Sequence, residues 1–130
     1  MESCGYIVED VSGNSDYFDK DIDFIITSST SGMVKTFEVK WDYRINKTGN
    51  LYLEIANIHS KGGKGWFEFC EADYVAYGDA ANGTFYIFSL LELREKVKML
   101  PRMLANCGSD SVGLLVPLKD LTEITRRKTL

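Results

Sequence analysis

The feature that most narrows the fold of this chain is the stretch from Asp21 to Asp42, DIDFIITSSTSGMVKTFEVKWD, in which two alternating runs are separated by turn chemistry. Asp21 and Asp23 alternate with Ile22 and Phe24 in the first arm. Glu38 and Lys40 alternate with Phe37, Val39 and Trp41 in the second, so each arm has one polar and one apolar face. The segment therefore reads as a β-hairpin. A turn centred between Thr30 and Ser31 sets Asp23 opposite Glu38. Opposed Cβ atoms lie about 4.5–5.5 Å apart, where two like charges repel unless a cation sits between them. Hard oxygen ligands at that separation suit Mg²⁺ or Mn²⁺. Lys40, on the same face, points an ammonium at the same space, where it can hold a phosphate oxygen or a water. The polar residues are expected on the open face of the hairpin, and a one-residue bulge would change the register.

At 130 residues and 45% apolar, the chain has the makings of one globular domain with a single core, spanning 1–130. Cys4, Cys70 and Cys107 are odd in number and widely spaced, which favours free thiols over a disulfide framework or a zinc site. With no long apolar run and no signal-like start, a cytoplasmic protein without a membrane span is expected. The net charge of −4 argues against broad adhesion to nucleic acid. Basic residues nonetheless group as Arg44 with Lys47, Lys61 with Lys64, and Arg126, Arg127 and Lys128, and the first two groups are candidate nucleic-acid contacts. His59 is the lone histidine, which excludes a His-based triad or zinc cluster.

Around the hairpin, residues 4–11 read as a short strand or extended lead-in. Asn50–Ile58 reads as a third strand of the meander, with Leu51, Leu53 and Ile55 on one face and Tyr52 and Glu54 on the other. Aligned with the hairpin, Glu54 becomes a further candidate carboxylate, or else an ordinary solvated or Lys-paired strand glutamate. Residues 57–65 form a glycine-rich loop that does not fit a phosphate-binding GxxxxGK[ST] pattern. Trp66, Phe67 and Phe69 read as packing residues, with base stacking by Trp66 the alternative. Ala72–Tyr77 and Thr84–Ser89 read as strands, and Leu90–Leu104 as an amphipathic helix that Pro101 ends or kinks near Met99. After a loop at 106–111 come a strand at 112–116, a last turn to Ile124 and a frayed basic tail.

Asp23 followed by Glu38-Val39-Lys40, in the order strand, short turn, strand with ExK, third strand and then ADYVAYGD, resembles the D…(D/E)-x-K signature of the PD-(D/E)XK nuclease superfamily, in particular its small phage and bacterial members. The resemblance covers roughly Asp16 to the end of the chain. It implies an α/β (α+β) fold with a central mixed sheet, an antiparallel meander and flanking helices, like the core of a restriction endonuclease. It implies Asp23, Glu38 and Lys40 as catalytic residues, with Asp23, Glu38 and the Val39 carbonyl holding Mg²⁺ or Mn²⁺ and DNA as the substrate. The usual N-terminal helix, which often lends a glutamate, has no counterpart before Asp21. Glu9, Asp10, Asp16 and Asp19 are the acids available to replace it, Asp16 foremost, and Asp21 is a further candidate.

The function expected is thus a metal-dependent DNA endonuclease or resolvase-like phosphodiesterase, with a homodimer the economical way to cut two strands. Two rivals stay open. One is an inactive nuclease-fold module, encoded by a phage or mobile element, that binds a host protein. The other is a small α+β assembly protein in which Glu38 and Lys40 are merely cross-strand salt-bridge partners.

Overall fold

The structure, a computed structural model, describes residues 6–18 and 20–129, without the side chains of Ser15, Phe18, Lys61 and Thr129. Cys4 and Asp19 lie outside the described residues. In chain order the elements are β1 (Tyr6–Asp10), α1 (Ser15–Phe18), β2 (Phe24–Ser28), β3 (Val34–Asp42), α2 (Ile45–Thr48), β4 (Asn50–Asn57), α3 (Trp66–Phe69), β5 (Tyr74–Asp79), β6 (Thr84–Ser89), α4 (Leu90–Lys98), β7 (Leu104–Cys107), β8 (Ser111–Pro117) and β9 (Arg126–Thr129). 3₁₀ segments occupy Lys61–Gly63 and Leu118–Ile124.

The fold is α+β, with a six-stranded mixed sheet in the order β1-β2-β3-β5-β6-β9 and a three-stranded sheet in the order β4-β8-β7. The large sheet opens with an antiparallel meander, β1-β2-β3, and only the β3–β5 pairing is parallel. The meander's third member is thus β1, not the Asn50–Ile58 strand expected from sequence. At Gly49, whose φ of 70° needs a residue without Cβ strain, the chain turns away from β3, and β4 pairs with β8 instead. β5 takes the place beside β3. The apolar row of β4 is satisfied by this choice: Leu51 and Leu53 are both 0% exposed, each burial contributing about 2 kcal/mol.

The two sheets enclose a common core that includes Leu51, Leu53, Val75, Phe88, Leu93 and Leu121. Tyr77 ties them together: its hydroxyl donates to Asp42 Oδ2 at 2.5 Å and accepts the Tyr52 N–H at 3.1 Å. Helix α4 starts at Ser89, whose side chain accepts the Glu92 N–H at 3.3 Å. It stops at Lys98, short of Pro101, so the helix does not reach Leu104. Leu104–Cys107 instead forms β7, an edge strand paired with β8 that takes in the expected end of the helix and the start of the loop expected at 106–111. The basic tail is not frayed either. Arg126–Thr129 pairs with β6, and the Arg127 guanidinium lies 6.0 Å from the Tyr86 ring centroid. Among the described residues, no helix is long and apolar enough to cross a membrane.

Candidate functional site

The hairpin has the register that its turn dictates: Phe24 partners Phe37 and Ile25 partners Thr36, so the same pairing extended by one step sets Asp23 opposite Glu38. At Asp23 the ladder becomes irregular, as its N–H donates to the Phe37 carbonyl at 2.8 Å. Its side chain then takes over the next ladder position, Oδ2 accepting the Val39 N–H at 2.9 Å. Because a strand residue directs its N–H and C=O to one side, the Val39 carbonyl faces the same gap beyond the end of β2.

The orientation of the hairpin is the reverse of the expected one. Glu38 shares its side of the sheet with its neighbours Val75 and Phe88, which are both 0% exposed, and is itself only 4% exposed. The row expected to be buried, Phe37, Val39 and Trp41, lies on the other face. There Phe37 stacks on Tyr74 at 5.1 Å and Trp41 packs edge-on against Phe85 at 4.8 Å. Gly78 makes this aromatic row possible, since a Cβ there would lie 2.8 Å from the Trp41 ring. The polar residues therefore sit in a pocket under α3, not on an open face.

In that pocket Lys40 Nζ lies 3.1 Å from Asp21 Oδ2 and 3.5 Å from Glu38 Oε1, and 5.1 Å from the centroid of the Trp66 ring. Asp21 is held in the left-handed region at φ 55°, the one non-glycine residue there among those described. Its carbonyl accepts the Cys70 thiol at 3.3 Å. Glu38 Oε2 is buried with no hydrogen-bond donor. Burial above all, then the neighbouring Asp23 and Asp21 carboxylates, outweigh the Lys40 charge and push the Glu38 carboxyl up to about 9. For Lys40, burial pulls downward but Asp21 and Glu38 together prevail, leaving its pKa raised and the ammonium charged. Carboxylate oxygens that face one another in this way need a proton or a cation between them.

The structure thus brings together Asp21, Asp23, Glu38, Val39 and Lys40. It does not bring in Asp16, which is exposed on α1. Glu54 is also diverted: it accepts from Ser111 Oγ at 2.7 Å, from Asn57 Nδ2 at 3.2 Å and from the Trp66 N–H at 3.4 Å. It supports the Trp66 segment and does not join the cluster. Arg44, Lys47 and Lys64 are exposed, and the Lys61 side chain lies outside the described residues. Trp66, at 8% exposure, has no free face for a base and covers Lys40 instead.

Sequence reasoning missed three supports of the pocket: Trp66 as the cover of Lys40, Cys70 behind Asp21, and Arg94. The Arg94 guanidinium donates to the Phe67 carbonyl at 3.0 and 2.8 Å and to the Cys70 carbonyl at 2.8 Å, capping the end of α3. Arg94 sits among charged residues of an amphipathic helix, and nothing in its local pattern marks it. Among the described residues, no set of three His, Cys, Asp or Glu side chains forms a metal cage. Two carboxylates and a carbonyl are the donors on hand. No family model, curated protein or solved structure matches this chain.

Proposed function

We propose that this chain is a divalent-metal-dependent DNA endonuclease, or resolvase-like phosphodiesterase, built on the PD-(D/E)XK plan. The observation that carries the reading is Glu38 Oε2, buried without a donor beside Asp23 and Asp21. An acceptor so placed takes either a proton, as the raised pKa of the free protein records, or a cation that replaces that proton. Asp23, Glu38 and the Val39 carbonyl fit Mg²⁺ or Mn²⁺ by donor chemistry, being hard oxygens around one gap.

When bound, the ion would lower the pKa of a water and neutralise charge on the phosphate. Asp23 is oriented by the Val39 N–H, and Glu38 is fixed by the packed strand row it belongs to. Lys40 supplies a positive charge that can hold a phosphate oxygen or orient the attacking water. In the net reaction the water oxygen bonds to phosphorus, the ester P–O bond breaks, and a water proton ends on the leaving oxygen. The exposed Arg44, Lys47 and Lys64, together with Lys61, are the candidate phosphate contacts, and a homodimer would place two such sites on a duplex.

A second reading, an inactive nuclease-fold module that binds a host protein, is favoured by the 4% exposure of Glu38 and by the ion pairs that close Lys40 over it. The test is calorimetric titration of Mg²⁺ and Mn²⁺ into wild type, Asp23→Asn and Glu38→Gln, with labelled duplex, branched and single-stranded DNA incubated in parallel. Metal binding and cleavage by wild type, both lost in folded variants, are expected. Cleavage retained in Asp23→Asn and Glu38→Gln would overturn the proposal. Complex formation with a host protein without metal, and no cleavage, would favour the second reading.

A further inference from the structure

We propose that the outer face of the six-stranded sheet, on the side away from the Glu38 pocket, is a docking surface for single-stranded nucleic acid. The inference stands apart from the metal-dependent reading above. Strand register builds the face. Trp41, Gly78, Phe85 and Lys128 form one cross-strand row through β3, β5, β6 and β9, and Val39, Ala76, Ile87 and Arg126 form the next. Phe37 and Tyr74 stand in the row after that.

None of the apolar residues in these rows belongs to the core cluster or packs against it. The same strands send Val75, Tyr77 and Phe88 to the core on the opposite side, as alternation requires. All four helices meet that core too, through Tyr17, Ile45, Trp66 and Leu93. The outer face is therefore a second apolar layer. Trp41 is 56% exposed there, and Phe37, Tyr74 and Phe85 are partly exposed.

Its aromatic rings come in two pairs, Phe37 stacked on Tyr74 at 5.1 Å and Trp41 edge-on to Phe85 at 4.8 Å. The pairs are four residues apart along β3, about 13 Å at ~3.3 Å per residue. Between them the floor is low, made by Val39 and Ala76. Unpaired bases laid across the sheet would meet a ring at either end of that floor, and such stacking tolerates any base. A duplex keeps its bases stacked within itself and offers these rings nothing.

Charge selects the same partner. Register places Lys35, Arg126 and Lys128 on this face, with Asp10 as its one acid, on edge strand β1. The Asp10 carboxylate is already occupied, accepting the Ser12 N–H at 2.9 Å and the Ser12 hydroxyl at 2.6 Å. A chain of net charge −4 thus presents a basic surface here. Lys35 Nζ lies 5.8 Å from the Tyr74 ring centroid, and Lys128 pairs with Phe85, so a cation flanks each aromatic pair where a phosphate would pass. A second copy of this chain packed on the face would instead bury three cations per copy against one carboxylate.

The experiment follows a labelled oligothymidylate of about 12 nucleotides by anisotropy, and tryptophan emission in parallel. EDTA is present, so metal-dependent cleavage plays no part. Wild type is expected to bind the single strand more tightly than a duplex of equal length, with its emission quenched. Trp41→Ala should weaken binding at least about tenfold, and Trp41→Phe should restore most of the loss. Joint replacement of Arg126 and Lys128 by alanine should lower the slope of log K against log salt by about 1.4, or ~0.7 per phosphate contact. Asp23→Asn, in the pocket on the other side, should bind like wild type.

No binding at low salt, equal or tighter binding of the duplex, or affinity unmoved by both the Trp41→Ala and the Arg126/Lys128 replacements overturns the inference and leaves the metal-dependent reading standing. A loss in Asp23→Asn as large as that in Trp41→Ala overturns the assignment to this face. Sedimentation showing a dimer that Trp41→Ala dissociates overturns it in favour of a second copy.

Discussion

Glu38 makes a quantitative prediction about stability. Its carboxyl is raised from 4.5 to about 9, first by burial and then by the facing Asp23 and Asp21, against the opposing charge of Lys40. The groups that face it are these two aspartates, Lys40 on its own strand and the Cys70 thiol of the α3 end. A folded-state pKa raised above the unfolded value means that the native protein holds the proton more tightly. The associated stability is complete below the unfolded pKa and is lost as pH rises toward the folded one. Each unit of pKa is worth about 1.4 kcal/mol, so at pH 7 an ionised Glu38 in the unfolded chain lowers stability by roughly 3 kcal/mol relative to acid conditions.

Glu38→Gln keeps the shape of the protonated side chain and removes its titration. Urea denaturation of both proteins at half-unit steps from pH 4 to 9 reads the effect of Glu38 and of the Asp21, Asp23 and Lys40 groups tied to it, because groups remote from the pocket cancel in the difference. The variant is expected to gain on wild type steadily between about pH 4.5 and 9, by up to about 1.4 kcal/mol per unit. A difference that stays constant across that range would falsify the assignment of a buried, proton-bearing Glu38.

Three further outcomes follow from contacts described above. Tyr77→Phe removes the hydroxyl that accepts the Tyr52 N–H and donates to Asp42, and urea titration should show a loss of about 1–3 kcal/mol for the unpaired buried groups. Arg94→Met removes the three hydrogen bonds to the Phe67 and Cys70 carbonyls; a loss of about 2–3 kcal/mol is expected, with increased tryptophan solvent exposure read by acrylamide quenching. Cys70, 2% exposed and pushed up to about 12 chiefly by burial, should resist iodoacetamide at pH 8 while the exposed Cys107 reacts, as peptide mass mapping will report.

The parts of this structure that local chemistry controls were legible in the sequence. The SSTSG turn sets the hairpin register, Pro101 ends α4, and alternation places Glu38 and Lys40 on one face. What alternation cannot say is which face turns inward. The Phe37 and Trp41 row looks like the core side, yet it finds cover from Tyr74 and Phe85 on the outer surface. Glu38 is thereby sent to the interior, where its neighbours are Val75 and Phe88. Pairings between distant segments, such as β4 with β8 and β6 with β9, leave no local mark, and the polar rows of those strands are compatible with several partners. Asp21 was visible as an acid on the right face, but its left-handed backbone depends on contacts from Cys70 that no spacing announces.

The route of the chain between β3 and β5 has a temporal consequence. These two strands are neighbours in the sheet, yet the segment joining them departs to build β4 and α3, and β4 is paired to β8 near the far end of the chain. The cover that Trp66 provides for Lys40 is thus anchored by a strand that leaves the ribosome well after the hairpin does. A nascent chain ending before Ser111 already contains Asp21, Asp23, Glu38 and Lys40 but lacks the β8 partner that holds β4 in place. Closure of the charged pocket therefore depends on docking of the small sheet, which requires that β8 be available to pair with β4.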